Sequence, residues 1–356
     1  MRNFNFNHLP TEIILDMITR LPADSILNCK LVCRPWRDLV SHHPSFYQMY
    51  LSHLNRSTDS GKLSFIDRAD KKFHYFEYDE NNKETPINCI RRININPQFE
   101  NYHYYVLGSV NGLIYLYEWR VHTYYICNPV TREYVMLPKT SDDQYGNLCY
   151  GCFCVNQYIH FGSGFGYDSL ADEYKVVELY KLRRNTSFIK VGVYTLGSGK
   201  GWRIVGRLDY KICKFGAHGG VFGNGALHWV DKEGGRVLTF DLTEEKFHQP
   251  LSPPPSPCLG VMPFGTVGLL DGVLYYVTTH DYKIIEDRCL DIWLLRKKND
   301  IPDMKEQVEN ESLGWSKEFG FIKREPLAFT KRGSVLFTII TPSIFMTPYL
   351  QPRKSL

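Results

Sequence analysis

Cysteine, histidine, lysine and acidic residues fall in a few places where their spacing could do chemistry. Cys149, Cys152 and Cys154, with His160 nearby, have the close thiol spacing of a zinc ligand set. A structural zinc site takes two ligand pairs at separated positions, and no second pair follows at a usual interval. Buried or loop thiols are the expected reading, which also argues against an intrinsic RING. Gly197-Ser198-Gly199-Lys200-Gly201-Trp202 shares only its composition with a phosphate loop. Such a loop needs Ser or Thr after the lysine to hold the metal, and Gly201 stands there, so a turn between strands is expected. Gly162, Gly164 and Gly166 lack a following helix pattern, which argues against a dinucleotide fold. His218 and His228, and the pair Asp168 and Asp172, have no serine or cysteine nucleophile in a recognisable context. Lone strand histidines are expected to be hydrogen-bonded structural residues, and His42-His43 to face solvent. No catalytic residue, metal or cofactor is expected.

The elements that carry these residues change character along the chain. Of 356 residues, 43% are hydrophobic and 22% charged, so a packed core is expected. The aromatic share, 14%, leans toward β-sheet, whose half-buried faces accommodate large rings. The net charge of +4 is dispersed and the longest basic run is Arg296-Lys297-Lys298, which speaks against a nucleic-acid partner. No apolar run approaches the roughly 20 residues of a membrane span. The first 20 residues interleave charged and apolar positions, unlike a secretory signal. Ten cysteines are then expected to be reduced thiols in an intracellular protein of the cytoplasm or nucleus.

Residues 8–54 read as short helices. Pro10-Thr11-Glu12 suits an opening turn, with Thr11 a candidate cap. Ile13, Ile14, Met17, Ile18 and Leu21 follow at helical spacing. Pro22 ends that helix, and Ile26, Leu27, Leu31 and Val32 carry the next up to a break at Arg34-Pro35. Trp36 to Val40 reads as a short turn of helix, and Pro44 starts another with Phe46, Tyr47, Tyr50 and Leu54. Four short helices cannot enclose much core, so an apolar stripe is expected to stay uncovered and mark an interaction site.

From about residue 62 the period becomes two. Asn111-Gly112, Asn224-Gly225 and Asp271-Gly272 each precede alternating aromatic and aliphatic residues, the strongest short hairpin signal. The last two glycines are 47 residues apart, near the period of propeller blades, and the 113 residues between Gly112 and Gly225 could hold two blades. Five or six blades, or an irregular β-sandwich, are the alternatives. The proline-rich 250–263 reads as a stiff surface connection and the charged 297–312 as a loop insertion.

The runs Leu9-Pro10-x-Glu12-Ile13-Ile14, Ile18-x-Arg20-Leu21-Pro22-x-x-Ser25-Ile26-Leu27, Val32-Cys33-Arg34-x-Trp36-Arg37-x-Leu39 and Pro44-x-Phe46 resemble the F-box of plant F-box proteins. Gly108 to Gly112, Cys127-Asn128-Pro129-x-Thr131-Arg132-Glu133, Gly164 to Asp168, Asp172 to Val177, Ile292 to Leu295, Gly314 to Phe319 and Pro326 to Phe329 resemble the plant F-box-associated, kelch-like domain. The resemblance implies an α+β multidomain chain: an F-box (1–54), an all-β propeller-like domain (55–340) and an irregular tail (341–356). The tail lacks the strands with which family members continue, so an incomplete last blade is expected. It implies a non-catalytic substrate receptor of a Skp–cullin–F-box ubiquitin ligase, with a β-propeller ligand- or sugar-binding module, or an F-box protein acting outside a ligase, as the alternatives. Leu9, Pro10, Ile13, Ile14, Ile18, Leu21, Pro22, Leu27, Cys33, Trp36 and Leu39 would face the Skp-type adaptor, and through it the cullin and RING subunit. An unknown protein target would be held by the β domain, with 140–165, 250–263 and 296–313 as candidate loops.

Overall fold

A computed structural model describes residues 9–21, 23–56, 62–69, 72–82, 87–93, 104–118, 123–128, 133–139, 158–182, 188–209, 219–231, 235–255, 265–279, 290–297, 313–322, 326–330, 334–337 and 349–352. Four helices come first: α1 (Thr11–Thr19), α2 (Ala23–Val32), α3 (Arg34–His42) and α4 (Phe46–Arg56). Thr11 does not cap α1. Pro10 occupies the cap position with extended backbone and no side-chain bond, and its carbonyl accepts the amides of Ile13 and Ile14 at 3.0 and 3.2 Å. The chain breaks at Cys33, one residue earlier than expected, and Arg34 and Pro35 form the first turn of a nine-residue α3. Proline is at home there because its missing amide would have had no helical partner and its φ is already set.

The strands follow as β1 (Lys62–Ala69), β2 (Lys72–Asp79), β3 (Ile87–Ile93), β4 (Tyr104–Val110), β5 (Leu113–Glu118), β6 (Thr123–Cys127), β7 (Tyr134–Met136), β8 (Tyr158–Asp168), β9 (Glu173–Leu182), β10 (Phe188–Thr195), β11 (Trp202–Asp209), β12 (Gly219–Gly223), β13 (Ala226–Val230), β14 (Val237–Asp241), β15 (Lys246–Phe247), β16 (Thr266–Leu270), β17 (Val273–Thr279), β18 (Leu290–Lys297), β19 (Leu313–Ile322), β20 (Pro326–Phe329), β21 (Ser334–Phe337) and β22 (Tyr349–Pro352). Two compact units result. One comprises Met1–Asn101 with Asn128–Glu133, and the other Tyr102–Cys127 with Tyr134–Leu356.

The first unit holds the helices and the meander β1-β2-β3. The second is all-β and propeller-like, with antiparallel four-strand meanders β4–β7, β8–β11, β12–β15 and β16–β19 before the three-stranded β20–β22. The interval between Gly112 and Gly225 spans two repeats, running from the β4–β5 turn through the whole of β8–β11 to the β12–β13 turn. The second and third join into one eight-stranded sheet, because β8 and β12 pair in parallel at Gly219↔Ser163 and Gly220↔Gly164. A Cβ on Gly220 would lie 2.4 Å from the Trp229 ring, so only glycine admits the indole over this junction. The three short turns form as expected, with positive φ at Asn111 and Gly112, Asn224 and Gly225, and Asp271 and Gly272. β22 lies inside the stretch 341–356 and pairs with β21.

The core of the second unit is layered between successive meanders. Tyr115, Tyr124 and Ile126 pack on Phe165 and Val176. Val177, Leu179 and Val191 pack on Leu227, Trp229 and Phe240. Val237 packs with Leu274, Tyr276 and Trp315. Alternation along each strand thus feeds two neighbouring layers. No helix among the described residues is long and apolar enough to cross a membrane.

Candidate functional site

The helices build a small core and leave apolar surface over. α1 has five large apolar residues in nine positions. Ile14, Leu15 and Ile18 point inward, where they meet Ile26, Cys29 and Phe46, with Leu9, Leu21, Trp36 and Leu39 packed around them. Ile13 and Met17, one turn apart, stay 50% and 47% exposed. On a 3.6-residue period they lie more than a right angle from the middle of the buried stripe, so no small rotation could bury all five. In α2, Ile26 and Cys29 are buried, three positions apart, whereas Leu31 and Val32 fall out of phase and are 79% and 63% exposed.

The residues the sequence assigned to adaptor docking therefore divide. Ile13 and Pro10 are exposed, Leu9, Leu21, Leu27, Cys33, Trp36 and Leu39 are half-buried, and Ile14 and Ile18 are inside. Pro22 lies outside the described residues. Leu9, Ile14, Trp36 and Leu39 come together with Thr11, Pro35, Asp38, His42, His43 and Pro44 along an open groove of about 480 Å³ between the start of α1 and α3. Met17, Leu31 and Val32 were placed by their spacing on the apolar helical stripes but not among the docking residues, and they are exposed. A helical wheel centred on Ile14 and Ile18, or on Ile26 and Cys29, would have turned them outward.

Electrostatics on this unit are those of solvated helices. Arg20 grips Asp16 with two hydrogen bonds, 3.0 and 2.9 Å, and the bond holds the carboxyl below its ordinary value. Burial pushes the Cys29 thiol up, which keeps it protonated and inert. His42 is exposed and His43 half-buried.

The constellations weighed for chemistry in the second unit resolve into structure. Asp168 is 1% exposed and accepts hydrogen bonds from Lys175 Nζ (3.0 Å), Thr243 Oγ1 (2.9 Å) and the Leu170 amide (3.1 Å). Lys175 also donates to the Leu242 carbonyl at 2.8 Å and stands 3.2 Å from Glu245, to which Arg203 donates from Nη1 and Nη2 at 2.9 and 2.7 Å. Burial alone would raise both carboxyls, but the bonds from Lys175, Thr243 and Arg203 outweigh it and hold Asp168 and Glu245 below their ordinary values. This cluster ties β8–β11 to the β14–β15 turn. His228 is hydrogen-bonded to Thr239 Oγ1 (3.0 Å) and the Gly223 carbonyl (3.4 Å), and burial lowers its pKa. Gly197 to Gly201 form the β10–β11 turn. Cys149, Cys152, Cys154 and His218 lie outside the described residues, as do 140–157, 256–263 and 298–312 of the candidate loops.

Known families match both units. The model for the F-box associated beta propeller domain covers residues 62–255, and an F-box-like model covers 6–52. F-box protein At3g07870 of Arabidopsis thaliana is 27% identical over 274 residues, 68% of this chain and 59% of its own length. F-box protein CPR1 of the same plant is 26% identical over 315 residues, 82% of this chain and 70% of its own. F-box/kelch-repeat protein At3g23880, also from Arabidopsis, is 24% identical over 265 residues, 69% and 66% of the two chains. Several relatives are longer, and the chain spans 58–60% of the length of three of them.

Proposed function

Because the chain belongs to the plant F-box proteins that carry an F-box-associated β-propeller domain, we propose that it is the substrate-recognition subunit of a Skp–cullin–F-box ubiquitin ligase. The helical unit docks a Skp-type adaptor and through it the cullin and RING subunit. The all-β unit captures a protein target inside the cell, in the cytoplasm or nucleus. The protein itself makes and breaks no bonds, since its role is to bring the target to the ubiquitin-charged enzyme.

One observation carries this reading: α1 and α2 hold more large apolar side chains than their core admits. Ile13, Met17, Leu31 and Val32 are left in water within twenty residues of one another in sequence. Burying such side chains fully yields roughly 1.5–3 kcal/mol each, so half to three-quarters burial of four of them offers about 4–7 kcal/mol. Association has its own entropic cost of several kcal/mol. The groove at Leu9, Trp36 and Leu39 and the remaining assigned residues extend the contact. Ile14 and Ile18 act by holding the helices in register, not by touching the adaptor.

The test is co-purification of the full chain with a Skp-type adaptor. Wild type is expected to form an equimolar complex on size exclusion, and Ile13→Asp with Leu31→Asp is expected to elute free while keeping its far-UV spectrum. A wild-type chain that elutes free in the presence of excess adaptor contradicts the reading.

A further inference from the structure

Two indoles make one contact twice. Trp202, at the start of β11, donates from Nε1 to the carbonyl of Pro138 at 2.6 Å, and Trp315, in β19, donates to that of Ser252 at 2.7 Å. Donor and acceptor are 64 and 63 residues apart in sequence. Each acceptor directly follows a leucine folded back onto the third strand of the preceding meander. The Leu137 amide donates to the Tyr124 carbonyl, and the Leu251 amide to the Val237 carbonyl, both at 2.9 Å. Leu137 packs in the same cluster as Trp202, and Leu251 in the same cluster as Trp315. Each indole also meets a tyrosine ring, Tyr194 at 5.4 Å and Tyr276 at 5.7 Å. Both tryptophans follow a glycine, and they stand 113 residues apart, the spacing that also separates the turn glycines Gly112 and Gly225.

The junction between these two sets is made differently. There β8 and β12 pair in parallel, and Lys175 reaches Asp168, Leu242 and Glu245. The Trp229 indole lies at the inner strands, 3.4 Å from the Ser163 carbonyl, not at the outer edge.

We propose that β4–β19 of the second unit are two copies of a two-meander module, β4–β11 and β12–β19. Each module is closed at its outer edge by an indole-to-carbonyl latch, and the Lys175 cluster clasps the two modules together. Each latch controls the opening of its own module. It also fixes the point from which the long connection to the next meander departs, because Pro138 and Ser252 stand at the roots of those connections.

Hydrogen exchange on the full chain, read by mass spectrometry, tests this. Trp202→Phe keeps an aromatic ring and removes the donor. Loss of one net hydrogen bond is expected to speed exchange roughly tenfold in β6, β7, β10 and β11, with β14, β15, β18 and β19 unchanged. Trp315→Phe is expected to give the mirror pattern. Equal acceleration in both modules from either variant, or none in its own module, overturns the latch. A measurement on the unaltered chain guards against a variant that fails to fold. At low urea, amides of β6, β7, β10 and β11 are expected to share one opening free energy, and those of β14, β15, β18 and β19 another. A single shared value, or a separate one for each meander, overturns the module.

Discussion

Lys175→Met keeps an unbranched apolar stem and removes the ammonium with its charge and its hydrogen-bond donors. The lysine side chain is 6% exposed and that of Asp168 1%. Nζ donates at 3.0 Å to Asp168 Oδ2 and at 2.8 Å to the Leu242 carbonyl. Two charged hydrogen bonds at about 1.5–3 kcal/mol each set a ceiling near 6 kcal/mol, and removing one partner of a buried pair usually costs about 3–5 kcal/mol. Two features pull the value to the low end. Glu245 keeps its two bonds from Arg203, and Asp168 keeps those from Thr243 and the Leu170 amide. A loss of about 3 kcal/mol is expected, which at a urea slope of about 3 kcal/mol per molar lowers the midpoint by about 1 M. The assay is urea unfolding of the full chain followed by tryptophan fluorescence. Adding Asp168→Asn removes the stranded charge and is expected to restore about half of the loss. A single variant within about 1 kcal/mol of wild type, or a double variant no better than the single, refutes the argument that this cluster clasps β8–β11 to β12–β15.

Acid should attack the same cluster. Asp168 and Glu245 are held below their ordinary values, so their contribution is complete above the unfolded carboxyl pKa of about 4 and is lost as pH falls through the lowered folded values. Lys175→Met should flatten that limb of the stability–pH curve, and an unchanged limb counts against it. His228 is lowered from 6.5 by burial, only partly offset by the Gly223 carbonyl. Its neutral form is the stabilising one above pH 6.5, and stability should decline below that. His228→Gln should remove the slope, measured as unfolding free energy against pH. In the helical unit, Ile18→Ala should cost about 2–5 kcal/mol, whereas Met17→Ala should change the melt by less than about 0.5 kcal/mol; similar losses would mean the inside and outside of α1 are misassigned. Gly225→Ala places a Cβ at φ +77 and should cost about 1–2 kcal/mol by thermal unfolding, although nothing lies within 4 Å of the new atom.

What could be read without coordinates was whatever local physics decides. Asn111-Gly112, Asn224-Gly225 and Asp271-Gly272 announced their hairpins, because few other dipeptides accept two positive φ values in succession. The helix–strand switch near residue 60 was equally plain from the change of period. What failed was phase and distance. Apolar spacing put Ile13, Met17, Leu31 and Val32 on the same stripes as Ile14, Ile18 and Ile26 and did not separate outward positions from inward ones; only the choice of Leu15 and Cys29 as inward positions turns them out. Thr11 looked like a cap, but Pro10 already supplies the carbonyl the first turn needs. Asp168 was noticed as a possible reactive acid. Of its true partners, Lys175 comes from the paired strand of the same hairpin, whereas Thr243, seventy-five residues on, meets it only through the packing of two meanders, which no local pattern encodes. The recurrent Gly-Trp of Gly201-Trp202 and Gly314-Trp315 was visible, yet its meaning depends on carbonyls more than sixty residues earlier.

The claim on which function rests is that the outward apolar side chains of α1 and α2 form a surface for another protein. Isothermal titration of the full chain with a purified Skp-type adaptor addresses it directly, run on wild type, on Ile13→Asp with Leu31→Asp, and on the control Leu170→Asp in the exposed β8–β9 turn. Saturable one-to-one binding that is weakened at least about a hundredfold by the helical pair, a loss of about 2.7 kcal/mol, and is untouched by the control is the predicted result. Equal affinity for all three proteins, or no heat with wild type, would contradict it.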